Sequence, residues 1–485
     1  MPHAGFDLAA SARAEMLHEG FPPDFAPGTE EQLAALKERP TPVPGPDIRD
    51  LRNLLWSSID NDSSRDLDQI EWAERTPSGI RVLIGVADVD ADVPLGSPID
   101  RHAADQTTTV YTEVQTFPML PEELSTNLTS LNENADRLAI VIEMTVVSGG
   151  SIASPAIYRA LVRNKAQLTY DGVGCWLEGT AQAPAKVAAS GELQAQLRLQ
   201  DEAAQALLAK RHEMGALDFD RAEIQADITN GSVTGIRARR RNRATELIED
   251  FMVAANEAMA RSLAATGVAA IRRVVKTPER WPRIVDLARQ HGTKLPAEAD
   301  SHALAAFLTQ QKQSDPVHYP DLSLAIIKLM GPGEYVVARP GQDAPGHFGL
   351  AAHDYTHSTA PNRRFADLVT QRLIKAVLTK QTAPYSASEL DSIANNCTLK
   401  EDAARKVERA MQKRVAAVAL QNQIGHNFDA VVTGVTPKGV FVRIFQPPVE
   451  GRLMRGEHGL DVGDRLRVTL LSTDPQRGFI DFARV

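Results

Sequence analysis

Ile59-Asp60-Asn61-Asp62-Ser63-Ser64-Arg65-Asp66-Leu67-Asp68-Gln69 places four carboxylates within nine residues. A packed fold gathers acids that densely only when a cation offsets their repulsion, so the stretch reads first as a divalent metal site. Asp60, Asp62, Ser64, Asp66, Asp68 and Glu71 also fall at the first, third, fifth, seventh, ninth and twelfth places of a calcium-binding helix-loop-helix. That reading fails at the sixth place, where Arg65 stands instead of the glycine that makes the sharp turn. Downstream, Thr76-Pro77-Ser78-Gly79 into Ile80-Arg81-Val82-Leu83-Ile84 is a turn and a strand, not a helix. A solvated acidic loop is the plain alternative. Trp56, Ile70 and Trp72 argue against it, because large apolar residues on both sides pin the loop. A pinned loop with three or more carboxylates suits one or two Mg2+ ions, with Mn2+ as a substitute, and leaves coordination places for phosphate and water.

The rest of the chain frames that site as part of an ordinary globular protein. Its 485 residues, 43% hydrophobic and 24% charged, are enough for a sizeable core and several domains. Cys175 and Cys397 form no Cys-x-x-Cys pair, which argues against a zinc knuckle or a disulfide framework and fits a reducing cytoplasm. Even the apolar run from Leu138 to Val147 is broken by Glu143, so no membrane span is expected. The N-terminus lacks the basic-then-apolar layout of a secretory signal. A net charge of −9 excludes a wholly basic surface, yet Arg237, Arg239, Arg240, Arg241 and Arg243 form a dense local run suited to a backbone-tracking groove.

Residues 1–46 read as a small helical domain ending in a proline-rich linker. Asp7 caps its first helix, Gly20 ends it, and Thr29-Glu30-Glu31-Gln32 is a capping box for the second. Residues 47–424 read as one large α+β domain. Strands over Val82–Val89 and Leu138–Val147 come first, and helices over 190–213, 246–264, 361–379 and 387–423 follow. Residues 425–485 carry two pairs of alternating strands around tight turns, the signature of a small OB-fold β-barrel. Thr359-Ala360-Pro361 reads as a helix start with Arg363 and Arg364 in its first turn. The helix dipole disfavours cations there, so the pair points to a bound anion such as phosphate. His347, His353 and His357 invite a zinc reading, but no cysteine or His-Glu-x-x-His accompanies them.

Several blocks, in order, resemble the catalytic domain of the ribonuclease II (RNB) exoribonucleases: SIDNDSSRDLDQI, GVADVDADVPLGSPIDRHA, FPMLPEELSTNLTSLN, DRLAIVIEM, YRALVRNKAQLTYDGV, ELIEDFMVAANEAMA and HFGLAAHDYTHSTAPNRRFADLVTQRLIKAVL. The resemblance spans about residues 50 to 420, and the C-terminal strands resemble an S1-type OB-fold. It implies a processive, Mg2+-dependent 3′→5′ exoribonuclease that acts on single-stranded RNA, releases 5′-nucleoside monophosphates, uses no small-molecule cofactor and works as a monomer. Asp60, Asp66, Asp68 and Arg363 are implied as catalytic, the acids as metal ligands and the arginine as holder of the scissile phosphate. The family's fourth aspartate falls on Gln69, a weaker ligand, with Asp62 able to substitute. Tyr111 and Phe219 are implied to clamp the terminal bases, Tyr170 to seat the last nucleotide and Glu249 to contact the ribose, with Glu408 as a further contact. Arg240 and Arg241 join them as backbone contacts, and Phe428 and Phe441 as stacking residues of the barrel. The short segment between Glu450 and Asp464 suggests an abbreviated barrel. The family's N-terminal cold-shock domains have no counterpart in the first 46 residues, which motivates closer approach to duplex RNA. The loss of an acid at Gln69 motivates the rival reading, a catalytically silent RNA-binding protein.

Overall fold

The computed structural model describes residues 6–40, 42–220, 223–229, 232–239, 241–316 and 318–485, the strands at 223–229 and 232–239 by their backbone. Two helices open it, α1 (Leu8–His18) and α2 (Thr29–Lys37). Asp7 caps α1 by accepting from the Ala10 amide at 2.9 Å, and Gly20 follows its end at φ 80°, both as the sequence suggests. The capping box at Thr29 does not form. Gly28, left-handed at φ 87°, occupies the N-cap. Gln32 instead turns outward, donating to Ser97 Oγ and accepting from the Ile99 amide, both at 3.0 Å.

The central sheet is built from β1 (Ile48–Asp50), β2 (Trp56–Asp60), β3 (Gln69–Thr76), β4 (Gly79–Ala87), β7 (Asp136–Val146) and the 18-residue β8 (Ile152–Thr169), in the order β1-β8-β2-β3-β4-β7. β8 also pairs with β7, so the sheet curls back on itself. Between β4 and β7 lie α3 (Pro98–Gln106) and the short hairpin β5 (Val110–Thr112) and β6 (Gln115–Phe117). The buried pattern of β4, apolar on both faces from Val82 to Ala87, shows that the sheet is covered on both sides.

The helices α4 (Tyr170–Leu177), α5 (Ala185–Ala188), α6 (Gly191–Glu213) and α7 (Arg243–Ala265) follow, with the hairpin β9 (Glu223–Thr229) and β10 (Ser232–Arg239) inserted before α7. A paired β11 (Ala270–Val274) and β12 (Glu334–Ala338) then enclose α8 (Trp281–Gln290), α9 (Ser301–Ser314) and α10 (Tyr319–Met330), whose apolar residues form a separate core around Trp281, Phe307 and Ile326. Helices α11 (Phe365–Leu378) and α12 (Ala387–Leu420) complete this region. The expected helix at 361–379 therefore starts later: Arg364 is the N-cap, and Thr359 and Pro361 belong to the buried loop before it. The loop is held from elsewhere, so a side-chain cap at Thr359 is not needed to define it.

The C-terminal strands β13 (Asn427–Thr436), β14 (Gly439–Ile444), β15 (Glu450–Arg455), β16 (Arg465–Asp474) and β17 (Phe479–Arg484) close into a barrel in the order β13-β14-β15-β17-β16. The barrel is complete, not abbreviated, because β15 pairs in parallel with β17 and seals the sheet. Among the described residues no helix is long and apolar enough to cross a membrane.

Candidate active site

The acidic loop joins the end of β2 to the start of β3, and main-chain bonds pin it. Leu67 N donates to Ser130 Oγ at 2.9 Å, Leu131 N to the Leu67 carbonyl at 3.0 Å, and Ala87 N to the Asp68 carbonyl at 2.9 Å. Leu67 and Ile70 are buried, as is Trp56 beneath them. The carboxylates therefore sit on a fixed frame. Asp60 accepts from the Asn61 amide at 2.7 Å and from Ser64 Oγ at 2.8 Å. Asp68 is 2% exposed. Its Oδ1 accepts from the Asn362 amide at 3.0 Å, while Oδ2 has no hydrogen-bond partner and lies 3.3 Å from Arg363 Nε. Burial pushes Asp68 up to about 7, with Arg363 pulling it down and Asp66 pushing it further up. Burial also raises Asp66, against the pull of Arg363.

Arg363 reaches this frame through a buried loop. Ser358 donates N–H and O–H to Asn256 Oδ1 at 2.8 and 2.9 Å, Thr356 Oγ1 donates to the Ile271 carbonyl at 2.7 Å, and Thr129 Oγ1 donates to Asn362 Oδ1 at 2.6 Å. The Arg363 carbonyl accepts from the Thr109 amide at 3.0 Å, so the arginine and the strand that carries Tyr111 are stitched together. The Arg363 side chain stays 46% exposed. Arg364 is different in kind. Its guanidinium makes two bonds, of 2.8 and 2.7 Å, to Asp367 in the first turn of α11, which answers the dipole penalty with a carboxylate instead of a bound anion.

Tyr111 is 44% exposed, its hydroxyl 3.4 Å from Asp66 Oδ2 and its amide donating to Glu408 Oε1 at 3.2 Å. Asp66, Asp68, Tyr111, Arg363 and Glu408 are thus brought together. Asp60, at the start of the loop, adds its charge to that of Asp66, and the remaining expected residues lie elsewhere. Tyr170 begins α4, half-buried, and its carbonyl accepts from Asn242 Nδ2 at 3.2 Å. Phe219 is half-buried against the α8–α10 core, with its carbonyl accepting from Arg241 at 3.2 Å. Arg241 pairs with Glu249 at 2.5 Å, and Arg243 pairs with Asp201 and Glu246 at 2.5 and 2.6 Å. These cations are engaged with protein acids, not free in a groove. Arg240 and the side chains of Arg237 and Arg239 lie outside the described residues. In the barrel, Phe428 packs edge-on against Phe482 at 6.5 Å between ring centres, and Phe441 is half-buried, while Phe479 is the more exposed ring at 57%. His357 bonds Tyr335 through Nδ1 at 2.7 Å and His347 accepts from the Leu350 amide at 3.2 Å, so these two serve packing and capping, while His353 is exposed.

Asp62 is exposed at the loop tip, and Gln69 is buried at the start of β3. Reasoning from sequence places Glu71 only in a loop pattern. Here it is fully buried, with neither carboxylate oxygen hydrogen-bonded. No local signal marks it, since an acid between apolar Ile70 and Trp72 in an alternating strand reads as solvent-facing. The donor set fits a hard divalent cation: carboxylate oxygens on a rigid frame, with the buried Asp68 Oδ2 free of hydrogen bonds and facing only the Arg363 guanidinium. It is not a closed cage. Among the described residues the one group of three such donors within 4.8 Å is Glu15, His18 and Glu19 on α1, outside this site.

A curled mixed sheet bearing an acidic loop opposite an arginine, followed by a five-stranded barrel, defines an RNB-type catalytic fold with an S1-type appendage. Residues 48–380 match the RNB domain, and residues 426–485 match the RNase II-type exonuclease C-terminal S1 domain. The chain belongs to the RNB family. It is 29% identical over 468 residues to ribonuclease R 1 of Lactococcus lactis subsp. lactis, covering 89% of this chain and 56% of that protein, so the chain spans little more than half the length of that relative. The fold is similar to that of Mycoplasma genitalium RNase R in complex with ribose-methylated single-stranded RNA, with a TM-score of 0.88 at 22% identity, covering 99% of this chain and 78% of that one. It is also similar to yeast Ssd1, a pseudonuclease, with a TM-score of 0.73 at 17% identity, covering 92% of this chain and 55% of that one.

Proposed function

We propose that this protein is a divalent-metal-dependent 3′→5′ exoribonuclease that hydrolyses single-stranded RNA processively to 5′-nucleoside monophosphates, with Mg2+ as its ion, as a cytoplasmic monomer. The observation that carries the reading is Asp68, buried with one oxygen free of hydrogen bonds and 3.3 Å from Nε of the half-exposed Arg363 side chain. When bound, a divalent ion lowers the pKa of a coordinated water and offsets charge on the phosphate. Asp60, Asp66 and Asp68 would hold it. Arg363 would grip the scissile phosphate and stabilise the negative charge that grows on its oxygens as water attacks phosphorus and the bond to the 3′-oxygen breaks. The proton given up by the attacking water balances the one the released 3′-oxygen takes to become a hydroxyl, and the departing nucleotide keeps the 5′-phosphate. Tyr111 offers an exposed ring for stacking on a terminal base, and Glu249 an acceptor for a ribose 2′-hydroxyl. With Glu249 on Arg241 in the free protein, RNA would exchange one partner for another.

Gln69, uncharged where the resemblance places an acid, favours a second reading, a silent RNA-binding protein. A 5′-labelled single-stranded RNA incubated with Mg2+, with a DNA control and with Asp68→Asn, separates the two. A ladder that shortens from the 3′ end, is lost in the variant and is absent on DNA supports the enzyme. Intact but bound RNA supports the silent binder. A 3′-overhang duplex in the same assay reads how far into paired RNA digestion proceeds.

A further inference from the structure

Two adjacent residues, Thr129 and Ser130, each bond to a different loop of the site. They follow a single π-helical turn over Leu124–Leu128, a wide turn that recurs at functional sites. Ser130 is 0% exposed, and its Oγ accepts from the Leu67 amide at 2.9 Å and donates to the Arg65 carbonyl at 2.7 Å. It therefore grips the acidic loop by the two neighbours of Asp66. Thr129 is 4% exposed, and its Oγ1 lies 2.6 Å from Asn362 Oδ1 and 2.9 Å from the Leu124 carbonyl. Asn362 precedes Arg363, and its own amide donates to Asp68 Oδ1 at 3.0 Å. The turn is fixed in its own right: Arg137 donates to the Ser130 carbonyl at 3.0 Å and to the Asn127 carbonyl at 2.7 Å, and Asn132 Nδ2 donates to the Thr126 carbonyl at 2.9 Å. Both residues are buried and uncharged, which leaves them no direct hold on RNA. Yet their bonds end at the immediate neighbours of Asp66, Asp68 and Arg363. Reacting groups work only when held within about 0.5 Å of the productive geometry, and a brace of short bonds to both loops supplies that constraint.

We propose that Thr129 and Ser130 are positioning residues that set the separation of Arg363 from the acidic loop, Thr129 through Asn362 and Ser130 through Arg65 and Leu67. The inference rests on reading Asp68 and Arg363 as the reacting site. Thr129 then acts on the arginine side alone, and Ser130 on the acid side alone, although the two are neighbours in the chain.

The test is a set of variants of the full chain, read by kcat and KM on single-stranded RNA and, without turnover, by amide hydrogen exchange over residues 360–364. Thr129→Val keeps the shape and removes the hydroxyl. It is expected to lower kcat at least about tenfold with KM close to that of the parent, since a misplacement of about 1 Å can cost a hundredfold, and to speed exchange over 360–364. Thr129→Ser returns the hydroxyl and should restore most of the rate. In an Arg363→Ala background Thr129→Val should cost nothing further, because the arginine it places is gone, whereas Ser130→Ala should still lower the residual rate. Thermal unfolding reports whether each variant is folded. Parental kcat in folded Thr129→Val overturns the inference, as does unchanged exchange over 360–364. An equal loss in the Arg363→Ala background also overturns it and makes Thr129 a general support of the fold. A parent chain that cleaves no RNA overturns the exoribonuclease reading instead, and the exchange alone then decides whether Thr129 holds the arginine loop.

Discussion

At Asp68, burial and charge pull in opposite directions. Burial drives its carboxyl up to about 7, against an ordinary value of 3.8, although Arg363 stands 3.3 Å away. An acid whose folded pKa is raised favours the folded state when it is protonated, so its contribution is fully present below about 4 and fades as the pH climbs toward 7. In chelator, the protein should therefore lose stability between about pH 4 and pH 7, by up to about 4 kcal/mol from this group alone at 1.36 kcal/mol per pH unit. Thermal melts across that range check it, and Asp68→Asn should flatten the slope. In the RNA assay, Arg363→Ala should cut turnover at least about a hundredfold, the scale seen when a preorganised charge-stabilising donor is lost. RNA retention by the same variant on a filter should fall far less. Tyr111→Phe should keep the grip on single strands and Tyr111→Ala weaken it by about 1–3 kcal/mol, the worth of one stacked base, read as dissociation constants in chelator. The acids of the loop are legible from sequence because their density is improbable without a cation. Glu71 is not, since its meaning depends on burial and on the absence of a partner, and neither is written in its neighbours.

Among the elements, α11 shows why a helix is easier to find than its first residue. Its apolar spacing is plain in the sequence, yet the chain enters it through a loop whose bonds come from Asn256, Ile271 and Thr129, all far away in sequence. Local capping rules place the start at Thr359, and these distant bonds place it at Phe365. The same happens at α2, where Gln32 bonds Ser97 and Ile99 instead of its own N-terminus. Deeper in α11, Arg372 is 3% exposed and pairs with Asp90 at 2.8 Å and Asp100 at 2.7 Å while donating to the Val93 carbonyl at 2.8 Å. Asp90 keeps Lys375 at 2.7 Å, but removing Arg372 leaves the buried Asp100 without its cation, so Arg372→Ala should cost about 3–5 kcal/mol in urea unfolding. At the turn between β7 and β8, Gly150 sits at φ 77°, and a Cβ there would meet the Ala206 carbonyl oxygen at 2.0 Å. Gly150→Ala should lower the melting temperature by several degrees through strain and a forced shift of α6.

For the whole molecule, the order of strands and helices is readable from the sequence, but the way the parts are mounted is not. The barrel shows this. Its strand pairs announce themselves, yet closure through the parallel β15–β17 pair cannot be seen until the sheet is assembled. The N-terminal helix shows it too. Leu8, Ala12 and Met16 share a core with Val407, Met411 and Val415 of α12 and with Val110 and Phe117 of the Tyr111 hairpin. Further along the same helix, Ala416, Ala417 and Leu420 are part of the barrel core. Arg414 joins all three parts, donating to Ser11 Oγ at 3.0 Å, to Glu15 at 2.7 Å and to the Gln476 carbonyl at 3.2 Å. At 34 residues, α12 is a rod about 50 Å long by the usual rise per residue. Mechanically, the Tyr111 hairpin and the barrel are bolted to one beam, and a strand of RNA held at both would load that beam along its length instead of flexing a hinge. The pull of a translocating polymer would thus be borne by helix packing, and stiffness, more than any single contact, would set how far the barrel and the acidic loop can drift apart while a strand is being drawn in.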